Sequence, residues 1–313
     1  MFLLQAFKPN NEFPKYLLGS IIILIFTFLG YIPVGVGIFI EAAATGKPFP
    51  QEDNFMTFLE PNLMLFLLML SFVAALTGIF LVVKFLHKQT IREVTTGRRK
   101  TDWGRILFSF AVWATFSAVS IGVSYYMNPE DFVINFKPVP FAILAVIAII
   151  MIPIQTSTEE YVFRGYLMQG FAIMSRNRWF PLLLTSAIFG CLHLGNPEVE
   201  KMGYIILVYY IGTGLFLGII TLMDDGIELA LGFHAANNLV GALLVTSAWS
   251  VFQTHSVLKD ISEPTAGLEV IFPVVIIFPI LLFIFSKKYN WSGWKEKLTG
   301  KIVLPQTENN QID

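Results

Sequence analysis

Three short polar clusters interrupt an otherwise apolar chain: Glu159-Glu160-Tyr161-Val162-Phe163-Arg164, then Phe189 to His193, then His234 to Asn238. Two carboxylates, a guanidinium, two imidazoles and an amide are the parts of a hydrolase. In hydrocarbon such groups are expensive, so they face one another or a water-filled cavity and point to a functional site. Glu160 and Arg164 are four apart, on one helix face, with the glutamate first, the favoured order for an ion pair. Glu159 is rotated by about 100° from them. The spacing predicts no partner for it on its own helix, which leaves it free to take a proton from water as a general base. His234 and Asn238 are again four apart and can donate together to one oxygen, as an oxyanion hole requires. Asn237, three residues from His234, satisfies the same spacing rule. Each cluster also has a plain structural explanation. Thr156 or Ser157 with a glutamate three residues on is a capping box. A single histidine on an apolar helix is commonly a satisfied interior residue, and His234 with Asn238 would serve as an interhelical clamp.

The elements that must position these groups are membrane helices. The chain has 313 residues, 55% hydrophobic and 14% charged, with a mean hydropathy of +0.66, whereas soluble domains are about 25% charged. The net charge of −1 exerts no pull on nucleic acid, and no zinc-finger spacing or basic aromatic stretch suggests such a partner. Cys191 is the sole cysteine, which rules out an internal disulfide or a thiolate cluster, and it is expected as a small buried core residue. His87 and His255 fall among loop residues and look incidental. The first apolar run, Leu17 to Ile40, exceeds the roughly 7–15 residues of a signal-peptide core. Despite the small residues Ala42 to Ala44, it is expected to be a retained anchor.

Windows of about 20 apolar residues span a bilayer. Eight occur, near 17–40, 63–86, 105–127, 139–157, 179–195, 203–223, 227–248 and 267–286. The predicted fold is an all-α, polytopic membrane protein with its catalytic cluster on the fourth, fifth and seventh helices. Its parts are three N-terminal helices (1–138), a helical core (139–248), and a last helix with a polar tail (249–313). The connection after the second span holds Lys84, Lys88, Arg92, Arg98, Arg99, Lys100 and Arg105, and the tail after the eighth holds Lys287, Lys288, Lys295, Lys297 and Lys301. Connections near 41–62 and 128–138 carry Glu41, Glu52, Asp53, Glu60, Glu130 and Asp131. Lysine and arginine stay on the cytoplasmic side, so both termini are expected there. Gln306 to Asp313 is expected as a disordered tail.

Thr156 to Met174 extends the fourth span as an amphipathic helix, and Pro181 predicts a break near Arg176 to Arg178. Glu159 lies 17 residues before position 176 and His193 lies 17 after it. On an antiparallel hairpin both stand about 25 Å from the turn, at one height. The extended fourth helix is too long for a bilayer unless it tilts or protrudes.

Glu-Glu-x-x-x-Arg at 159–164, Phe-x-x-x-His at 189–193 and His-x-x-x-Asn at 234–238 together resemble the signatures of the CAAX-protease and bacteriocin-processing family. These are intramembrane endopeptidases related to the prenyl-protein-processing enzymes, and the likeness covers roughly 139–248. It implies an eight-helix fold and a glutamate-type mechanism. Glu159 as base would hold a water with His193, His234 and Asn238 would stabilise the oxyanion, and Glu160 with Arg164 would support the site. The resemblance selects Asn238 over Asn237. It implies a peptide or protein substrate in or at the membrane, prenylated or plain, and no cofactor. The alternative is zinc on Glu159, His193 and His234 with an open position for water, although His-Glu-x-x-His is absent. Two further alternatives are a non-enzymatic receptor or immunity protein on the same fold, and a transporter with a proton relay. Inverted repeats, which a transporter would show, are not visible. An intramembrane protease also needs a water-accessible cavity, predicted to be lined by Glu159, His193, His234 and Asn238. Tyr161 and Tyr166 are expected along it, with Phe163 facing lipid.

Overall fold

The computed structural model describes residues 1–264 and 267–304; the expected tail, Gln306 to Asp313, lies outside the described residues. The described residues form fourteen α-helices: α1 (Phe13–Gly30), α2 (Ile32–Thr45), α3 (Pro61–Leu81), α4 (Ile91–Thr95), α5 (Trp103–Met127), α6 (Pro138–Glu160), α7 (Met168–Ser175), α8 (Trp179–Cys191), α9 (Pro197–Met202), α10 (Ile206–Asp224), α11 (Glu228–Leu244), α12 (Leu268–Phe272), α13 (Phe278–Tyr289) and α14 (Trp294–Thr299). Among the described residues six continuous helical stretches are long and apolar enough to cross a membrane, and the shorter apolar stretch Trp179–Gly195 joins them. The protein is an all-α polytopic membrane protein.

Local chemistry sets the boundaries. Pro61, Pro138 and Pro197 open α3, α6 and α9, where a missing N–H is harmless. Pro33 breaks the first expected span into α1 and α2. Arg176 and Asp225, both at φ +55°, end α7 and α10 in the left-handed conformation that closes many helices. The capping-box explanation for Glu159 and Glu160 does not apply, because both lie at the far end of a 23-residue helix. Thr156 instead back-bonds to the Ile152 carbonyl at 3.1 Å. Directly after Glu160 the helix widens to π geometry over Tyr161–Leu167, a departure often found at functional sites. The fifth and seventh expected spans are short, 13 residues in α8 and 17 in α11.

The connections segregate to two faces. On one, the N-terminus, residues 95–98, the α7–α8 turn, the α10–α11 turn and the C-terminal segment meet. Ile227 N donates to Thr95 O (2.8 Å), Gly97 N to Asp225 O (2.8 Å) and Ile302 N to Arg176 O (2.9 Å). Here Arg98 bonds both Asp224 (2.9 Å) and Glu228 (3.2 Å), and Arg105 also pairs with Asp224. On the opposite face β1 (Phe132–Ile134), β3 (Leu258–Asp260) and β2 (Val245–Ser247) form a small sheet in the order β1-β3-β2. β1 runs antiparallel to β3 and β2 parallel to it.

Because lipid is as apolar as leucine, the helices associate by close packing rather than by escape from water. A Cβ on Gly232 of α11 would lie 2.1 Å from the Ile106 carbonyl oxygen of α5, and one on Gly214 of α10 would lie 2.9 Å from Ser186 O of α8. Side chains larger than hydrogen would push α11 and α10 off their neighbours. Trp113, Phe216, Phe233, Phe278 and Phe285 fill the cluster between α5, α10, α11 and α13.

Three side chains differ from expectation. Cys191 is exposed, because α8 ends beside it and leaves nothing to cover it. Phe163 is buried, its ring 5.2 Å from that of Phe189, since the π segment turns it inward. His87 is not an incidental loop residue but is 4% exposed. Its Nδ1 donates to Asn11 Oδ1 (2.6 Å), its Nε2 contacts the Tyr166 hydroxyl (2.9 Å), and its ring lies 4.2 Å from that of Tyr16. Burial, with the charge of Lys15 adding to it, lowers the pKa of His87 from 6.5 to about 4. The unfolded chain therefore takes a proton near pH 6.5 that the folded chain refuses until about pH 4. The stability His87 contributes is complete above that window and is lost as pH falls through it, by up to about 3 kcal/mol. Thermal unfolding in detergent should show Tm falling between pH 7 and pH 4. His87→Gln should have a lower Tm at pH 7 and a flatter profile, and an equally steep profile in the variant would refute the assignment.

Candidate active site

The site is assembled from α6 and its π extension, the end of α8, and α11, with α5 and α10 behind. At its base Glu160 and Arg164 are wholly buried. Glu160 Oε1 accepts from Arg164 Nη1 at 2.9 Å and from His234 Nδ1 at 2.7 Å. Arg164 Nη2 donates to the Gly214 carbonyl at 3.1 Å. Arg164 Nε has no hydrogen-bond partner among the described residues, but the guanidinium lies 4.6 Å from the Phe189 ring centroid, a cation–π contact that offsets part of its desolvation. One carboxylate and one guanidinium thus tie α6, α10 and α11 together.

Glu159 is different. Its side chain keeps 18% of its surface accessible, and Oε2 stands 3.6 Å from His234 Nε2, beyond hydrogen-bond length. It is not without a partner on its own helix, as its spacing from Glu160 and Arg164 suggested: Gln155 Nε2 donates to Oε1 at 2.5 Å. Gln155 Oε1 in turn accepts from Asn238 Nδ2 at 3.0 Å. Asn238 Oδ1 accepts from Asn237 Nδ2 at 3.0 Å, and Asn237 Oδ1 accepts from Trp113 Nε1 at 3.0 Å. A line of amides therefore runs from the indole of α5 to the carboxylate of α6. Both asparagines take part, Asn238 next to the site and Asn237 behind it.

His193 lies in the 310 turn Leu192–Gly195 that follows α8. Its Nδ1 faces the Phe189 carbonyl at 2.7 Å. A carbonyl only accepts, so Nδ1 carries the proton and a neutral ring presents the lone pair of Nε2. The ring stacks on Tyr210 of α10, centroids 4.3 Å apart and planes 24° apart, and Asn196 Nδ2 donates to the Tyr210 hydroxyl at 3.3 Å. Gln155, Trp113 and Tyr210 were missed from the sequence. Gln155 had a signal, its place four residues before Glu159; Trp113 and Tyr210 sit on distant helices and had none.

Among the described residues no three His, Cys, Asp or Glu side chains are grouped to hold a metal ion; His193 and His234 each have Nδ1 committed elsewhere. A cavity of about 1690 Å3 opens next to the site. Leu194, Gly195 and Asn196 are in its wall, whereas Glu159, His193, His234 and Asn238 are not.

A membrane-embedded helical bundle with an ion-paired glutamate beside a more accessible one defines the class of protein. Residues 138–240, a region that holds every site residue named above except Trp113, match the family described as Type II CAAX prenyl endopeptidase Rce1-like. The chain is also 26% identical over 289 residues to a Bacillus subtilis (strain 168) protein described as "Uncharacterized protein YyaK". That likeness covers 91% of this chain and 96% of the relative. No solved structure matches.

Removing one partner of the buried pair leaves an uncompensated charge. Arg164→Met is expected to destabilise the folded protein by about 3–5 kcal/mol, read as a lower Tm and lower yield in detergent. An unchanged Tm would show that Glu160 does not depend on Arg164.

Proposed function

We propose that the protein is an intramembrane endopeptidase that uses Glu159 to activate water, without a resident metal. The observation that carries this is the division between two adjacent carboxylates. Glu160 is buried and bonded to Arg164 and His234, while Glu159 is partly accessible and faces an imidazole edge.

The roles follow from donor and acceptor geometry. Gln155 holds Glu159 Oε1, leaving Oε2 to accept a proton from a water that also donates to His193 Nε2. The hydroxide attacks the peptide carbonyl carbon, and the negative charge on the carbonyl oxygen is met by Asn238 Nδ2, which has a second N–H, and by His234 Nε2. Donation from Nε2 while Nδ1 bonds Glu160 needs a proton on both ring nitrogens, and Glu159 and Glu160 are the counter-charges at hand. The proton taken by Glu159 then passes to the departing amine as the C–N bond breaks. Preorganised donors of this kind are typically worth about 3–4 kcal/mol of barrier each.

Wild type, Glu159→Gln and His193→Ala, purified in detergent, should be compared on a library of prenylated and plain peptides with and without a chelator. Cleavage by wild type should be indifferent to the chelator and fall at least about 100-fold in both variants. Loss on chelation with recovery on adding a divalent ion would move the same residues into a zinc site. Full activity of Glu159→Gln would overturn the role of this residue. Gln155→Leu should fold normally but lower kcat, by up to about 100-fold, because Glu159 loses the donor that aims it; unaltered kcat would make the amide line purely structural.

A further inference from the structure

We infer that Tyr210 of α10 is the residue that positions His193, its ring and its hydroxyl gripping the two ends of the turn that carries the imidazole. The effect on catalysis rests on the proteolytic reading just given; the grip on the turn does not.

His193 is held differently from the other residues of the site. Glu159, His234 and Asn238 sit within α6 and α11, and each is bonded to another side chain: Glu159 to Gln155, His234 to Glu160, and Asn238 to Gln155. His193 lies past the last residue of α8, in the turn Leu192–Gly195, with Cys191, Leu192, Leu194 and Gly195 all exposed around it. Among the described residues its side chain makes one hydrogen bond, to the Phe189 carbonyl of its own segment at 2.7 Å. One bond tethers Nδ1 but leaves the ring plane free to swing about that contact, and Nε2 swings with it. A water shared between Nε2 and Glu159 needs that swing removed.

Tyr210 removes it. Its ring stacks on the imidazole with centroids 4.3 Å apart and planes 24° apart, a near-parallel contact that fixes the ring plane, whereas Phe189 meets the same imidazole at 50°. Its hydroxyl accepts from Asn196 Nδ2 at 3.3 Å. Asn196 N in turn donates to His193 O at 3.0 Å, so Asn196 closes the turn that His193 opens. One side chain therefore holds residue 193 by its face and residue 196 by its tip. Tyrosine serves both contacts because an apolar ring and a polar tip belong to one rigid body.

The backbone of α10 is placed to deliver this ring. A Cβ on Gly190 of α8 would lie 3.0 Å from Ile211 N and 3.2 Å from Ile211 Cα, so the residue next to Tyr210 rests against the residue three before His193. Further along the same pair of helices, Gly214 rests against Ser186. Glycine at 190 lets α10 come this close to α8, and the close approach sets the distance between the two rings. The stack thus follows from how two helices pack, although the imidazole itself stands on a turn.

Wild type, Tyr210→Leu, Tyr210→Phe, Asn196→Ala and the double variant Tyr210→Phe/Asn196→Ala should be compared as full chains in detergent. Reaction of His193 with diethyl pyrocarbonate, followed by mass spectrometry of its peptide, reads the freedom of Nε2 without any substrate. It should be faster in Tyr210→Leu than in wild type, and close to wild type in Tyr210→Phe, which keeps the stack. A rate in Tyr210→Leu no faster than wild type would overturn the grip. On a cleaved peptide Tyr210→Leu should lower kcat by about 10–100-fold with KM unchanged, and Tyr210→Phe should restore all but about a fivefold loss. A loss as large in Tyr210→Phe, or a change confined to KM, would overturn the stack as what aims His193. Where Tyr210→Leu does not fold, the hydroxyl contact still decides: Tyr210→Phe and Asn196→Ala should lower kcat alike, and the double variant no further. Additive losses would overturn the joint grip. Should wild type cleave no peptide while the modification rates differ as expected, the proteolytic reading fails and the positioning of His193 stands.

Discussion

A buried carboxylate cannot remain charged in a low-dielectric interior unless its neighbours compensate it, and much of this protein's core follows from how Glu160 meets that requirement. Arg164 lies one turn along the same helix and His234 comes from α11. Arg164 then reaches the backbone of α10 at Gly214, and Gly214 can be there because nothing larger fits against Ser186 of α8. A single charge thus specifies how four helices meet in a medium where the hydrophobic effect does not drive helix association.

The neighbouring Glu159 is spared that duty. The two glutamates are adjacent in sequence but about 100° apart around the helix, so one faces the helix junction and the other the more open side. The π segment that begins at Tyr161 brings Phe163 and Arg164 inward together around Phe189. The line from Trp113 through Asn237, Asn238 and Gln155 to Glu159 has a matching role, since each amide both accepts and donates. Such a line fixes the rotamer of every member, the Glu159 carboxylate included.

The sequence by itself determined the class of the molecule and the parts of the site. Apolar windows imply helices because a bilayer leaves no other partner for backbone groups, and the four-residue spacings of Glu160 with Arg164 and of His234 with Asn238 fix which side chains share a face. The hairpin break at Arg176 was legible from Pro181. What lay outside reach were relations between helices. Whether Cys191 or Phe163 is covered, whether His87 is buried on Tyr16, and that Trp113 and Tyr210 stand behind the site depend on which helix packs against which face. Periodicity reports a face but not its neighbour. The shortness of α8, and with it the cavity beside His193, was equally hidden, because hydropathy measures how apolar a stretch is and not where its last hydrogen-bonded turn ends. Only the tertiary structure decided these, since they are set by close contacts between residues far apart in the chain.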